Sequence, residues 1–442
     1  MALMANPSRS SLRKHPAWLV GVCLAAFFNA GAQNPVQPPL PQNIPGMDEA
    51  HTLVDQYPDH PSPPPAFSIP AGPLGYSVPG PIYETRLYTM VSLDFLDESH
   101  LLFTFHVSSG LMQRDSPASE ETERHIRAIV VSLPDGKIDA QDTWVLHDRM
   151  RYLWMLRDGH FLLRDAGGLK EGDASLKLKP FVQFDGHLLW IQMDPDQHFL
   201  ITNSLLPADA PLTRDEAAQT GAQADPQATL TVRTLSLPSG EVFRTSRLPW
   251  TYQTSDWPVN SDGYVEPKSA GPRKWNLDLN YFAGGSRTIA TVPSTCAPTT
   301  SYLSGLELFV TTCDPEGGWK LNAILAKGAF KWQQHASTNA VWPLLVTSPD
   351  GYWFARETLV LSHPLNGHHK HYDMHDVRGQ LLRVFNAWDG KLVLEAPLQP
   401  LMLSGGNVAF SPSGRRLAVL SGTSIDLYDL AAPTFSPNDV NN

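Results

Sequence analysis

The sequence predicts an all-β fold, a seven-bladed β-propeller, and two observations lead to it. Beyond Pro81 helical periodicity is nearly absent, while short runs of β-branched, aromatic and aliphatic residues recur. Asp-Gly or Ser-Gly pairs separate these runs, and glycine can close a tight hairpin there because it adopts positive φ without steric cost. The hairpins group into four-stranded meanders, which are the blades of a propeller.

The hairpin signals can be placed residue by residue. We expect tight turns at the following pairs: Asp135-Gly136, Asp158-Gly159, Asp185-Gly186, Ser239-Gly240, Asp262-Gly263, Asp350-Gly351, Asp389-Gly390 and Ser413-Gly414.

The last blade is incomplete by itself. Each blade consists of an inner and an outer hairpin, but the seventh, residues 407–430, contains only three strands. Residues 83–90 (YETRLYTM) have no partner in the first blade, so the sequence predicts that they pair with residues 425–430 and close the ring. A pair of β-sandwiches is the alternative, and it leaves the four-strand repeat unexplained.

The N-terminus predicts export. Basic residues precede residues 17–28 (AWLVGVCLAAFF), an apolar run that is too short to span a bilayer and has the length of a signal-peptide core. Small residues follow, so cleavage is expected between Ala32 and Gln33, with residues 1–32 as the signal peptide. An uncleaved anchor is the alternative. The prediction is a secreted or periplasmic protein without an integral membrane span after signal removal.

The chain then divides into a linker, a propeller and a tail. Residues 33–81 are crowded with proline, which stiffens the chain and predicts an extended linker. The last part of this linker, residues 67–76 (FSIPAGPLGY), carries apolar side chains that could pack on the following body. The propeller is predicted to occupy residues 82–430, and residues 431–442 form a C-terminal tail.

The inner-hairpin sequences carry a resemblance to known proteins. The stretches FSPSGRRLAVL and SPDGYWFA resemble inner hairpins of WD-repeat-like (WD40-like) and quinoprotein-like propellers. As a whole the chain resembles exported bacterial propellers of no assigned activity. This resemblance implies the fold but not the function, because the scaffold hosts unrelated roles. The adjacent cysteine pair of many quinone-dependent dehydrogenases is missing, so no catalytic residue is carried over.

Composition and motifs exclude several functions. The formal net charge of −11 argues against a nucleic-acid partner. The Gly-x-Ser-x-Gly elbow, the P-loop and the dinucleotide-binding glycine fingerprint do not occur, and no cofactor is predicted. Carboxylates gather in turns such as DPDQH and DPEGG, where we expect them to accept hydrogen bonds from the backbone of their own turn.

One histidine-rich segment is a candidate metal site. Within SHPLNGHHKHYDMHD, the candidate ligands are His369, His371, Asp373 and His375. Imidazole and carboxylate suit zinc, copper or nickel, and alternating residues of a strand share one face. The alternative is a solvated loop whose histidines become protonated as the pH falls.

Cys296 and Cys313 are predicted to form a disulfide. Cleavage of the signal peptide removes Cys23 and leaves this pair in an oxidising compartment. If Ser304-Gly305 forms a two-residue turn, the register places Cys296 opposite Cys313 at a non-hydrogen-bonded position, with the Cα atoms about 4.5 Å apart.

Three long connections suggest where a ligand binds. They join the second and third strands of their blades, so all of them should emerge on one face: residues 108–125, 205–229 and 362–377. The prediction is a binding or scaffolding module with a protein, a glycan or a small molecule over the mouth of the central channel. The competing prediction is an enzyme, either a quinone-dependent oxidoreductase or a lyase or hydrolase that acts on envelope material.

Overall fold

The computed structural model shows a chain built almost entirely of short antiparallel strands. It describes the following residues: 51–54, 63–78, 91–107, 124–147, 151–165, 167–184, 187–206, 229–237, 239–249, 257–260, 262–304, 307–315, 318–325, 327–336, 338–364, 372, 374–398 and 406–431. Among these residues no helix is long and apolar enough to cross a membrane.

Seven small sheets make the chain a seven-bladed β-propeller, as the sequence predicts. Two short strands, β1 (His51–Val54) and β2 (Phe67–Pro70), precede the blades. The first three blades each contain four consecutive strands: β3 (Ser92–Phe95), β4 (His100–His106), β5 (Arg124–Ser132) and β6 (Lys137–Leu146) in blade 1; β7 (Leu153–Met155), β8 (Phe161–Asp165), β9 (Gly168–Gly172) and β10 (Lys179–Gln183) in blade 2; β11 (His187–Met193), β12 (Phe199–Leu206), β13 (Thr229–Ser236) and β14 (Val242–Pro249) in blade 3.

Blade 4 is the least regular blade among the described residues. Its sheet consists of β15 (Gly263–Gly271), β16 (Lys274–Tyr281) and β17 (Ser286–Pro293). The place of a first strand is taken by one bridge between Val259 and Tyr264.

The last three blades repeat the four-stranded pattern with additions from the N-terminal strands. Their strands are β18 (Thr299–Ser304), β19 (Glu307–Cys313), β20 (Trp319–Leu325) and β21 (Phe330–His335) in blade 5; β22 (Ala340–Thr347), β23 (Trp353–Leu361), β24 (Val377–Asn386) and β25 (Leu392–Leu398) in blade 6; β26 (Val408–Phe410), β27 (Arg416–Ser421) and β28 (Ser424–Asp429) in blade 7. Strand β1 adds a fifth, parallel strand beside β21 of blade 5.

The fourth strand of blade 7 is β2, which corrects the sequence-based prediction. Phe67 pairs with Leu427 and Pro70 with Ser424, so β2 occupies the outer edge of β28. Residues 83–90, which were predicted for that position, lie outside the described residues. The expected linker therefore contains a strand of the propeller, because residues 67–70 supply backbone hydrogen bonds that residues 83–90 were expected to supply.

The segment after β2 packs into the interface between blades 7 and 1, as its apolar side chains suggest. Ile69, Leu74 and Tyr76 are 3–5% exposed. The Tyr76 ring contacts Phe103 and Phe105 of β4 edge-on, with centroids 5.4 Å apart in both pairs. The propeller core consists of such interfaces, since alternate residues of a strand face the preceding and the following blade.

The predicted Cys296–Cys313 disulfide is present, but the predicted register is wrong. The two Cα atoms lie 5.6 Å apart. Ser304 pairs with Glu307 and Thr299 with Thr311, with a shift between Tyr302 and Ser304. This shift moves Cys296 off the ladder, and the bond joins the connection before β18 to the end of β19.

We expect the disulfide to be visible by mass. Protein that is denatured and alkylated without reductant should gain no alkyl group on Cys296 or Cys313, and both residues should be alkylated after reduction. Alkylation of both thiols without reductant would contradict the bond.

Candidate binding site at the channel mouth

The strand order places the long connections on one face of the propeller. In blades 1, 3 and 6 the second strand ends and the third begins at that face: β4 and β5, β12 and β13, β23 and β24. Most residues of these connections lie outside the described residues. We call this side the long-loop face, and the turns between first and second strands lie on the opposite face.

A polar cluster occupies the innermost strand of blade 1. Contacts between the first strands of neighbouring blades, β26 with β3 and β3 with β7, show that these strands surround the channel. Leu93 and Phe95 belong to the core between blades 7 and 1. Ser92 and Asp94 alternate with them along β3 and therefore lie on its other face, towards blade 2.

The Asp94 carboxyl is held in a desolvated position. Its Oδ2 accepts a hydrogen bond of 2.6 Å from the Ser92 hydroxyl. Burial raises the pKa of Asp94 to about 6, against the smaller effects of this hydrogen bond and of the Arg151 charge. A carboxyl with this pKa changes its charge within the physiological range.

Blade 2 contributes the residues that face Asp94. The Tyr152 hydroxyl shares a 2.6 Å hydrogen bond with Thr104 Oγ1 of blade 1. Burial raises the pKa of Tyr152, and the Asp94 charge raises it further. The Arg151 guanidinium carbon lies 5.2 Å from the centre of the Trp154 ring. Acid, phenol and guanidinium thus meet where blades 1 and 2 join.

A second buried acid lies between blades 6 and 7. Glu357 of β23 is 1% exposed, and its Oε2 accepts a 2.8 Å hydrogen bond from Gln380 Nε2. Burial raises the pKa of Glu357 to about 7, while the nearby amides of Asn407 and Gln380 lower it. The Asn407 side chain is fully buried beside Glu357.

The backbone connects the two acids. Gly406, which precedes Asn407, accepts a 2.7 Å hydrogen bond from the Leu93 N–H, one residue before Asp94. Gly406 has φ of 81°, and a Cβ there would lie 2.0 Å from the Val91 carbonyl oxygen, so only glycine permits this approach. We use the name inner polar cluster for two groups that this backbone hydrogen bond links: Asp94 with Arg151 and Tyr152, and Glu357 with Asn407.

The chemistry of the inner polar cluster is that of a polar binding site. Near neutral pH its two carboxyls can each donate or accept hydrogen bonds, because their pKa values lie at about 6 and about 7. Arg151 adds a permanent positive charge. Of these residues Asp94, which is only partly buried, can hydrogen-bond to hydroxyl, amide or ammonium groups, whereas Glu357 and Asn407 are fully buried.

The sequence contained a signal for these residues that its motifs did not reveal. Asp94 lies between the buried Leu93 and Phe95, and Arg356 and Glu357 stand together inside β23, all of whose residues except Val360 are buried. Arg356 Nη1 donates a 2.8 Å hydrogen bond to Gln334 of blade 5, and its guanidinium carbon lies 3.8 Å from the Trp342 ring centre. Charged residues inside apolar strands are rare unless they are paired or functional.

The structure does not test the predicted metal site in the histidine-rich segment. His369, His371 and Asp373 lie outside the described residues. His375 is exposed and belongs to no group of potential metal ligands among the described residues. The site stays a prediction.

Comparisons with known proteins do not place the chain in a family. No protein-family model and no curated protein matches the chain. Similar structures include the acylaminoacyl peptidase of Pyrococcus horikoshii (10% identity, TM-score 0.48, 79% of this chain and 53% of that chain). A functionally unknown protein from Desulfotomaculum acetoxidans (13%, 0.39, 69% and 89%) and TolB from Acinetobacter baumannii (11%, 0.37, 71% and 79%) are also similar.

These similarities carry no argument about activity. The chain spans about half the length of the acylaminoacyl peptidase it matches. The propeller assignment rests on the seven sheets of the chain itself.

Proposed function

We propose that the protein is an exported binding module that holds a small polar ligand, such as a glycan or peptide fragment of the cell envelope, over the channel mouth. The observation that carries the proposal is the Asp94 carboxyl, which lies on an innermost strand and keeps a pKa of about 6 beside Arg151. A propeller fold suits a binding or scaffolding role, because its rigid strands position side chains around one axis.

Charge and accessibility support a ligand rather than a purely structural role. Ser92 and Asp94 are only partly buried, whereas the apolar residues of the same strand are buried. Burying a carboxyl costs free energy that a purely structural position would not require.

We expect Asp94→Asn to weaken ligand binding at least about tenfold, which corresponds to the loss of one charge-assisted hydrogen bond. Binding to the wild type and to the variant is measured by thermal shift and calorimetry. The probes are muropeptides, neutral and acidic oligosaccharides, and short peptides. Asp426→Asn, which exchanges a half-buried carboxylate on β28 outside the inner polar cluster, is the matched control.

The proposal fails if no probe binds, or if both variants bind like the wild type. Absorbance and metal content of the purified protein test the enzyme alternative, since a quinone cofactor or a stoichiometric metal would favour an oxidoreductase or a hydrolase over a binding module.

The proposed export leads to a separate prediction about the N-terminus of the mature protein. The mature protein should begin at Gln33, because small residues precede that position after the apolar run. N-terminal sequencing of protein from the periplasm or the medium measures this. Exported material that begins at Met1 would show an uncleaved segment and contradict the prediction.

A further inference from the structure

The turn between the first two strands of blade 3 differs from its counterparts in blades 6 and 7. All three turns place a proline second and a left-handed residue fourth, which is Gln197 in blade 3, with φ of 56°. In blade 6 the Ser348 hydroxyl accepts a 2.9 Å hydrogen bond from the Trp353 N–H. In blade 7 the Ser411 hydroxyl accepts a 3.2 Å hydrogen bond from the Arg416 N–H.

Blade 3 uses an aspartate for the same purpose and is left with a spare oxygen. Asp194 Oδ1 accepts a 2.7 Å hydrogen bond from the Phe199 N–H, five residues later, as each serine does. Asp194 is 1% exposed, and its Oδ2 is buried without a hydrogen-bond partner among the described residues. A serine would satisfy the turn, so the second oxygen costs free energy that the turn does not require.

Two further potential metal ligands, a second carboxylate and an imidazole, lie close to Asp194 in this turn. Asp196 and His198 stand where blade 6 has Asp350 and Tyr352; His198 is exposed, and Asp196 is at least partly exposed. One potential ligand atom from each of Asp194, Asp196 and His198 lies within 4.8 Å of the others.

The electrostatics of the turn favour a cation. The carboxylates of Asp194 and Asp196 each place an oxygen within 4.8 Å of the other, so two negative charges meet at the turn. A divalent cation would pair with both carboxylates and satisfy the buried oxygen.

We infer that Asp194, Asp196 and His198 form a binding site for a first-row divalent transition ion, for which Zn²⁺ is the probe. The imidazole favours such an ion over Ca²⁺ or Mg²⁺, which take oxygen ligands. Three protein ligands leave coordination positions for water, because two of the three residues are at least partly exposed. The site lies on the face opposite the long-loop face and is distinct from the inner polar cluster.

The decisive variant is Asp194→Ser, which copies the turn of blades 6 and 7. It keeps the hydrogen bond to the Phe199 N–H and removes only the spare oxygen, so its melting temperature without metal should stay close to that of the wild type. Full-length mature protein is freed of metal with a chelator, dialysed and titrated with zinc chloride by calorimetry.

We expect the wild type to bind zinc at this site and Asp194→Ser and His198→Ala to weaken that binding at least about tenfold. His369→Ala with His371→Ala is the control and should retain it. A wild type that takes up no zinc, an unchanged Asp194→Ser titration, or zinc binding lost only in the His369/His371 variant would overturn the inference.

Discussion

A chain that begins at Pro79 is expected to unfold far below the melting temperature of the full-length protein. It lacks β2, the fourth strand of blade 7, and the apolar side chains that fill the interface between blades 7 and 1. Losing the buried Ile69, Leu74 and Tyr76 costs about 2–5 kcal/mol each, which together approaches the whole stability of a typical domain.

A truncation that begins at Pro63 is the matched control. It removes β1 and keeps β2, so it should melt close to the full-length protein in scanning calorimetry. The chain that begins at Pro79 still contains residues 83–90, so it also tests whether they can complete blade 7. Equal melting temperatures for the two truncations would show that β2 does not close the ring.

Glu357→Gln is expected to make the protein more stable above neutral pH. The folded-state pKa of Glu357 is raised to about 7 from the ordinary value of 4.5, so folding retains a proton that the unfolded chain releases. The stability contributed by the protonated form is therefore complete below the unfolded pKa and is lost as the pH rises from about 4.5 through about 7. The loss amounts to about 3 kcal/mol at pH 8.

The glutamine variant removes this loss while it keeps an acceptor for the Gln380 amide. Urea unfolding of the wild type and the variant between pH 4 and pH 8 measures the effect, and Glu241→Gln, at an exposed turn residue, is the control. The two stability curves should diverge as the pH rises. Parallel curves would show that Glu357 does not hold its proton in the folded state.

The local features of the fold were predictable because they depend on neighbouring residues. Gly136, Gly351 and Gly414 adopt positive φ at their predicted turns, and residues 67–76 pack on the body as their apolar side chains suggest. The choice of the closing strand was not predictable, since residues 67–70 and 83–90 both lie upstream of blade 1. Selecting between them depends on packing against Phe103 and Phe105, which is non-local.

The inner polar cluster was not predictable from the sequence, because it also depends on packing between residues that are distant in the chain. In the sequence Asp94 and Glu357 are single acids in two different strands, and no local pattern marks them as neighbours of the same channel. Their raised pKa values come from burial between blades, and Asn407 reaches Glu357 from the next blade. The sequence predicted the face on which a ligand would bind, but not the side chains that would contact it.

Hydrogen–deuterium exchange with the best ligand of the probe panel tests the central claim, that the ligand binds over the channel mouth at the inner polar cluster. We predict slower exchange in β3, in the residues that begin β7 and at Gly406 and Asn407, with no change in the outer strands β6 and β25. Protection confined to the outer strands or to the opposite face, with β3 unchanged, would contradict the claim.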